Sequence, residues 1–115
     1  MQTQHTTKAV FLTLLLAVLA SSCVATDQVP SFEQIYASND KNELTAWGQR
    51  YAQGVGVAKD TQKAVKLFCK SARKGDTDAK FELGRLYAFG QGIERDWELA
   101  TAWYQEAVKD KSRKA

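Results

Sequence analysis

The chain matches itself at a shift of 36 residues, and that periodicity limits its fold more than any other feature. With Asp40 to Gly75 set over Asp76 to Lys111, eight positions are identical: Asp40 with Asp76, Gly48 with Gly84, Tyr51 with Tyr87, Ala52 with Ala88, Gly54 with Gly90, Gly56 with Gly92, Asp60 with Asp96 and Ala64 with Ala100. Unrelated segments of this length share about two at ordinary residue frequencies. Conservative pairs such as Val57 with Ile93, Lys59 with Arg95, Leu67 with Trp103 and Phe68 with Tyr104 extend the match. A fixed period of this size marks stacked units, each a small element that buries its apolar face only against a neighbour.

Each unit reads as two helices. In the second, Asp76 precedes a stripe of Ala79, Leu83, Leu86 and Tyr87, spaced as one helix face requires. Gly90 stops that helix, Gly92 allows a tight reversal, and Asp96 opens the next helix by accepting backbone N–H groups. The second stripe is Ala100, Trp103, Tyr104, Ala107 and Val108; its counterpart in the first unit is Ala64, Leu67, Phe68, Ser71 and Ala72. Asp40 and Glu43, three apart, predict a capping box at the head of the first unit. Gly48 and Gly84 fall inside helices, where glycine costs about 1 kcal/mol relative to alanine. Close approach of an aromatic side chain from the neighbouring helix, covered by Tyr51 or Tyr87 one turn later, accounts for that cost.

The units run Trp47-Gly48-x-x-Tyr51-x-x-Gly54-x-Gly56-Val57-x-x-Asp60-x-x-x-Ala64 and Leu83-Gly84-x-x-Tyr87-x-x-Gly90-x-Gly92-Ile93-x-x-Asp96-x-x-x-Ala100-x-x-Trp103-Tyr104. This pattern closely resembles the Sel-1-like repeat of the tetratricopeptide-like superfamily. The resemblance covers residues 40 to 111, and Phe32, Ile35 and Tyr36, with Phe32 lying 36 before Phe68, echo a lone second helix. Trp47, Ser71 and Lys111 depart from the usual leucine, alanine and closing glycine. The implied fold is all-α: an α/α solenoid of two helix hairpins (40–75 and 76–111), an N-terminal capping helix in 31–39, and a basic tail in 112–115.

Ahead of these units lies a different kind of segment. Lys8 precedes an apolar run from Ala9 to Ala20, broken only by Thr13 and closed by Ser21 and Ser22. Basic, apolar and small-residue regions in that order make a secretory signal peptide over 1–22, followed by a linker over 23–30. The run is shorter than the roughly 20 residues needed to span a bilayer. Leu19-Ala20-Ser21-Ser22-Cys23 resembles the lipobox of bacterial lipoproteins, which implies cleavage before Cys23 and lipidation of its thiol. Ala20 stands where that pattern usually has leucine, and an ordinary secretory cut after Ala20 or Ala25 is the competing reading. The first reading places the protein in the periplasm or on the outer membrane, the second makes it soluble and secreted. If Cys23 carries lipid, Cys69 has no partner for an intramolecular disulfide; beside Leu67 and Phe68 it reads as a small hydrophobe.

The chemistry available to such a chain is narrow. The one histidine, His5, lies in the segment that export removes, which rules out histidine-based triads and histidine metal sites in the mature protein. The aspartates recur at helix starts, where capping explains them. The Gly54-Val55-Gly56 and Gly90-Gln91-Gly92 turns lack the third glycine and preceding strand of a nucleotide-binding loop. The formal charge is +3, or +2 without Lys8, and the one basic cluster, Lys109, Lys111, Arg113 and Lys114, solvates a terminus. No enzyme, cofactor, metal or nucleic acid is expected.

What remains is recognition of another protein. The resemblance implies an adaptor or scaffold, here one of the cell envelope; an immunity protein neutralising a secreted antibacterial effector and a structural subunit of an envelope assembly are the alternatives. Stacked hairpins present a surface built mainly from the first helix of each unit. Residues off the core stripes form the expected contact set: Gln49, Arg50, Gln53, Lys80, Arg85, Phe89 and Trp97. Phe89 and Trp97 stand opposite polar Gln53 and Thr61 in the first unit, so the repeat does not itself require them; they serve a partner or seal the last unit. Two and a half units fall short of the three usually needed, which allows self-association as a homo-oligomer.

Overall fold

Aspartate opens each long helix and glycine closes the first helix of each unit, and the elements follow from those marks. The computed structural model describes residues 29–114, in which five helices succeed one another: α1 Phe32–Tyr36, α2 Lys41–Gln53, α3 Thr61–Arg73, α4 Thr77–Phe89 and α5 Trp97–Lys114. No strand occurs among the described residues. The expected signal segment 1–22, Cys23 and the linker as far as residue 28 lie outside them.

Asp40, Asp60, Asp76 and Asp96 each accept a backbone N–H of the helix that follows, from Asn42, Lys63, Asp78 and Leu99. Gly54 and Gly90 close α2 and α4 in the left-handed region, at φ 73° and 65°, which a side chain would strain. The hairpins then close identically: Asp60 N donates to Tyr51 O and Asp96 N to Tyr87 O, both at 2.9 Å.

The capping box expected of Asp40 and Glu43 does not form. The Glu43 carboxylate instead accepts from Ser38 Oγ at 2.5 Å, and Ser38 Oγ accepts from Asp40 N at 3.2 Å, so the serine stands between the two. A true box heads α1, where Ser31 and Gln34 exchange bonds of 2.9 and 3.2 Å.

α3 packs between α2 and α4, α4 against α5, and α1 against α2. Ile35, Leu44, Tyr51, Ala64, Leu67, Phe68, Ala72, Ala79, Leu83 and Leu86 form the core. Both helix-interior glycines sit under an aromatic ring. A Cβ on Gly48 would lie 2.6 Å from Phe68 Cε1, and one on Gly84 would lie 2.8 Å from Tyr104 Cδ1. The ring occupies the volume that any side chain would need, so the two helices approach more closely than an alanine would permit.

The units are joined by a buried polar knot. Ser71 Oγ lies 2.6 Å from Thr45 Oγ1 and donates to Lys41 O at 2.8 Å. Thr45 also donates to the same Asp76 carboxylate whose other oxygen caps α4. Ser71, where the repeat pattern prefers alanine, therefore connects α2, α3 and the start of α4. Such a knot holds because its members are satisfied; an unpaired buried hydroxyl or carboxylate costs roughly 1–3 kcal/mol.

The two glycines predict different penalties for one substitution. Phe68 is wholly buried and cannot give way, whereas Tyr104 is only partly covered. Gly48→Ala is expected to lose about 1–2 kcal/mol net, since overpacking outweighs the gain in helix propensity. That corresponds to a fall in Tm of roughly 5–10 °C. Gly84→Ala should fall by less than half as much, because Tyr104 can swing outward. Thermal melts of the two variants followed by circular dichroism check this, and equal shifts would contradict it.

Candidate functional site

The side chains that repeat between units serve caps, turns and core, so the free surface is made by those that differ. An open groove of about 380 Å³ runs between the end of α2 and the middle of α4. Its walls are Gln53 on α2, Lys59 and Thr61 at the entry to α3, Glu82 and Arg85 on α4, and Gln91 in the second turn, with Ala52 and Leu86 between them. Thr61 is buried because Gly92, at φ 81°, lets the second turn lie directly on it; a Cβ there would collide with the threonine hydroxyl.

Arg85 Nε and Nη2 both donate to Glu82 Oε2, at 3.0 and 2.7 Å, which holds the guanidinium along α4. The partly exposed pair contributes little stability, and its effect is orientation. Lys59 is exposed beside the amides of Gln53 and Gln91, so donors and acceptors alternate over a small apolar base. This chemistry suits an extended peptide backbone with a polar or acidic side chain.

The structure divides the contact residues expected from the sequence. It brings Gln53 and Arg85 together in the groove. Gln49 lies one turn before Gln53 and is half-buried, while Phe89 lies one turn beyond Arg85 and is 65% exposed. Arg50 stacks on Trp47 at 4.6 Å. Its repeat partner, Leu86, is buried between units, whereas α2 has only the short α1 before it and its arginine stays in solvent. Trp97 opens α5 with the Arg95 guanidinium 5.8 Å away. Lys80 is held within the second hairpin by Asp110 at 2.5 Å.

Sequence reasoning did not place Lys59, Thr61, Glu82 or Gln91 in the contact set. Glu82 stands three before Arg85, a spacing that allows a helical ion pair and was available as a signal. Lys59 and Gln91 sit in turns whose path only the packing of the hairpins sets. Cys69 is half-buried against the core, and burial pushes its thiol pKa up, partly opposed by Arg73, as befits a packed hydrophobe. Among the described residues no cluster of His, Cys, Asp and Glu is placed to hold a metal ion, and no helix is long and apolar enough to cross a membrane.

The profile of the Sel1 repeat matches residues 44–76 and 77–111. The chain is 34% identical over 74 residues to the chitin synthase regulator SKT5 of Saccharomyces cerevisiae, covering 63% of this chain and 10% of that protein. It therefore spans about a tenth of the length of that relative. A Sel1 repeat protein from Oxalobacter formigenes superposes with a TM-score of 0.59 at 31% identity, over 61% of this chain and 28% of the other. The protective antigen c5321 of uropathogenic Escherichia coli superposes with a TM-score of 0.60 at 31% identity, over 70% and 18%.

The Asp110 carboxyl, bonded to Lys80 and also to Thr77, is held below the usual carboxylate range, chiefly by the Lys80 hydrogen bond. A carboxyl with a depressed folded pKa contributes stability that is full above its unfolded pKa and is lost as pH falls through the folded one. Asp110→Asn should therefore lower Tm at neutral pH, and the gap from the parent should close progressively as pH falls below the ordinary carboxylate range. Paired melts from pH 7 downward test this; a Tm gap that persists undiminished into acid would rule out the ion pair as its source.

Proposed function

Because the chain belongs to the Sel1 repeat family, we propose that it works as an adaptor that captures another protein in the groove between α2 and α4. The observation that carries this reading is the division of the repeat into invariant and divergent positions. Gly48 with Gly84, Tyr51 with Tyr87 and Asp60 with Asp96 are repeated and serve the fold, whereas Gln49 with Arg85, Gln53 with Phe89 and Val55 with Gln91 differ and lie off the core. Side chains that vary over a constant frame are what a recognition surface requires. The yeast relative is named a regulator of chitin synthase, which supports a role exercised on another protein.

The bound segment lies across the groove with its backbone against the Gln53 and Gln91 amides, an acidic group toward Lys59 and Arg85, and an apolar side chain on Phe89. The protein is exported through residues 1–22 and lipid-anchored at Cys23, which places this surface in the cell envelope. Support for that placement is the basic, apolar and small-residue order of the leader and the Ala20-Ser21-Ser22-Cys23 ending.

Two experiments test the two parts separately. Affinity capture from envelope extracts, with the captured protein then titrated against Arg85→Glu and Phe89→Ser variants, should show each variant binding at least tenfold more weakly at unchanged helicity, a loss expected of residues at the centre of an interface. Undiminished binding by both would remove the groove from the interface. Labelling with a fatty-acid analogue should mark the parent and not Cys23→Ala; an unlabelled parent ends the anchored reading and leaves the soluble secreted one.

A further inference from the structure

The last helix carries the same kind of face that α3 buries, and leaves it open. Trp97, Thr101, Tyr104 and Val108 stand 36 after Thr61, Val65, Phe68 and Ala72. In α3 this stripe lies between units: Thr61 is 7%, Phe68 0% and Ala72 4% exposed. In α5 three of the same positions are open, Trp97 at 61% and Val108 at 55% with Thr101 between them, and Tyr104, which packs over Gly84, is part-exposed. Thr101, Tyr104, Gln105, Val108 and Lys109 line an apolar groove of about 410 Å³ there. Its two ends become larger and more apolar, since Thr61 becomes tryptophan and Ala72 becomes valine, while Val65 becomes threonine and Phe68 tyrosine in the middle.

We propose that this stripe is the interface of a two-fold dimer, in which α5 pairs antiparallel with α5 of a second copy. Two features of α5 select that occupant. The first is spacing: steps of four, three and four residues are symmetric about the point between 102 and 103. A two-fold axis there sets Thr101 against Tyr104 and Trp97 against Val108 of the second copy, the self-complementarity that an isologous contact demands. The second is charge. The first turn carries Glu98 and the last carries Lys111, Arg113 and Lys114. Antiparallel pairing carries the basic end of one helix just past the acidic start of the other and opposes their dipoles, whereas parallel pairing would bring like charges together. On the flank, Glu98 comes level with Ala107 of the second copy, and the long Lys109 side chain starts two residues, about 3 Å, beyond it, within reach of the carboxylate.

The opposite end of the repeat array argues against an open chain of copies. There α1 covers α2, with Phe32 edge-on to Tyr51 at 6.0 Å and the Lys63 and Lys70 ammonium groups over the Phe32 and Tyr36 rings. Lys70 also donates to Tyr36 O. A head-to-tail stack would have to displace this cap, while a two-fold contact through α5 leaves it in place and closes on itself.

Sedimentation equilibrium on the full chain is expected to show a monomer–dimer equilibrium. Val108→Glu and, separately, Thr101→Arg should each weaken it about tenfold or more. Both side chains are already exposed, so helicity by circular dichroism should not change. Glu98→Lys should weaken the dimer, and adding Lys109→Glu to the same chain should restore it, a rescue that only the antiparallel arrangement provides. A chain that stays monomeric at about 0.5 mM, well above typical weak-dimer constants, overturns the proposal. So does association that none of the α5 variants alters, which would assign it to another surface, and so does a double swap that fails to rescue. If Val108→Glu loses helicity, Thr101→Arg and the swap decide the matter by themselves.

Discussion

The architecture depends on one close approach, made twice: an aromatic ring laid on a helix backbone that has no side chain beneath it. Phe68 fills the space over Gly48 and Tyr104 the space over Gly84. Each contact sets how near the two helices of a hairpin come, and that distance sets the rest of the unit. With the helices this close, the return from Gln53 to Thr61 is made through a left-handed glycine, and Asp60 N reaches back to Tyr51 O. The glycine weakens its own helix by about 1 kcal/mol, and burial of the ring, worth roughly 2–3 kcal/mol, offsets that cost.

Hairpins alone do not make a surface; the units must also be held in register with each other. The Thr45, Ser71 and Asp76 knot does this at one place, where a single aspartate both caps α4 and accepts from α2. Gly92 resting on Thr61 does it at another. Between these two ties the walls of the groove, Gln53 from one unit and Arg85 from the next, face each other. The functional reading thus rests on inter-unit ties, because the groove belongs to neither unit alone.

The second unit shows how one sequence pattern acquires two meanings. Ala72 and Val108 occupy equivalent positions in equivalent helices, yet one is core and the other is surface. The amphipathic stripe of a repeat helix is written for two neighbours, and α5 has one on the described chain. Its stripe, expected from spacing to be apolar throughout, is so; only Ala100 and Ala107 reach full burial. The same asymmetry explains Arg50, which stands where Leu86 is buried but lies beneath only the short cap α1.

By itself the sequence determined the helix class, the 36-residue period, the aspartate and glycine boundaries, and the small residues beneath the rings. These are local or strictly periodic, and a helix face or a left-handed turn requires particular residue types at particular spacings. It also set Gln53, Arg85 and Phe89 off the core stripes, although not that Glu82 would hold the Arg85 guanidinium. It did not indicate that Ser38 would stand between Asp40 and Glu43, that Lys80 would be held by Asp110, or that Lys59 and Gln91 would border the groove. Those relations join residues whose distance depends on how a turn is seated and how two hairpins are rotated against each other. Only the tertiary structure decided them, because burial and hydrogen bonding between elements are set by the packing of whole helices, a sum of many small contacts that no single residue's identity carries.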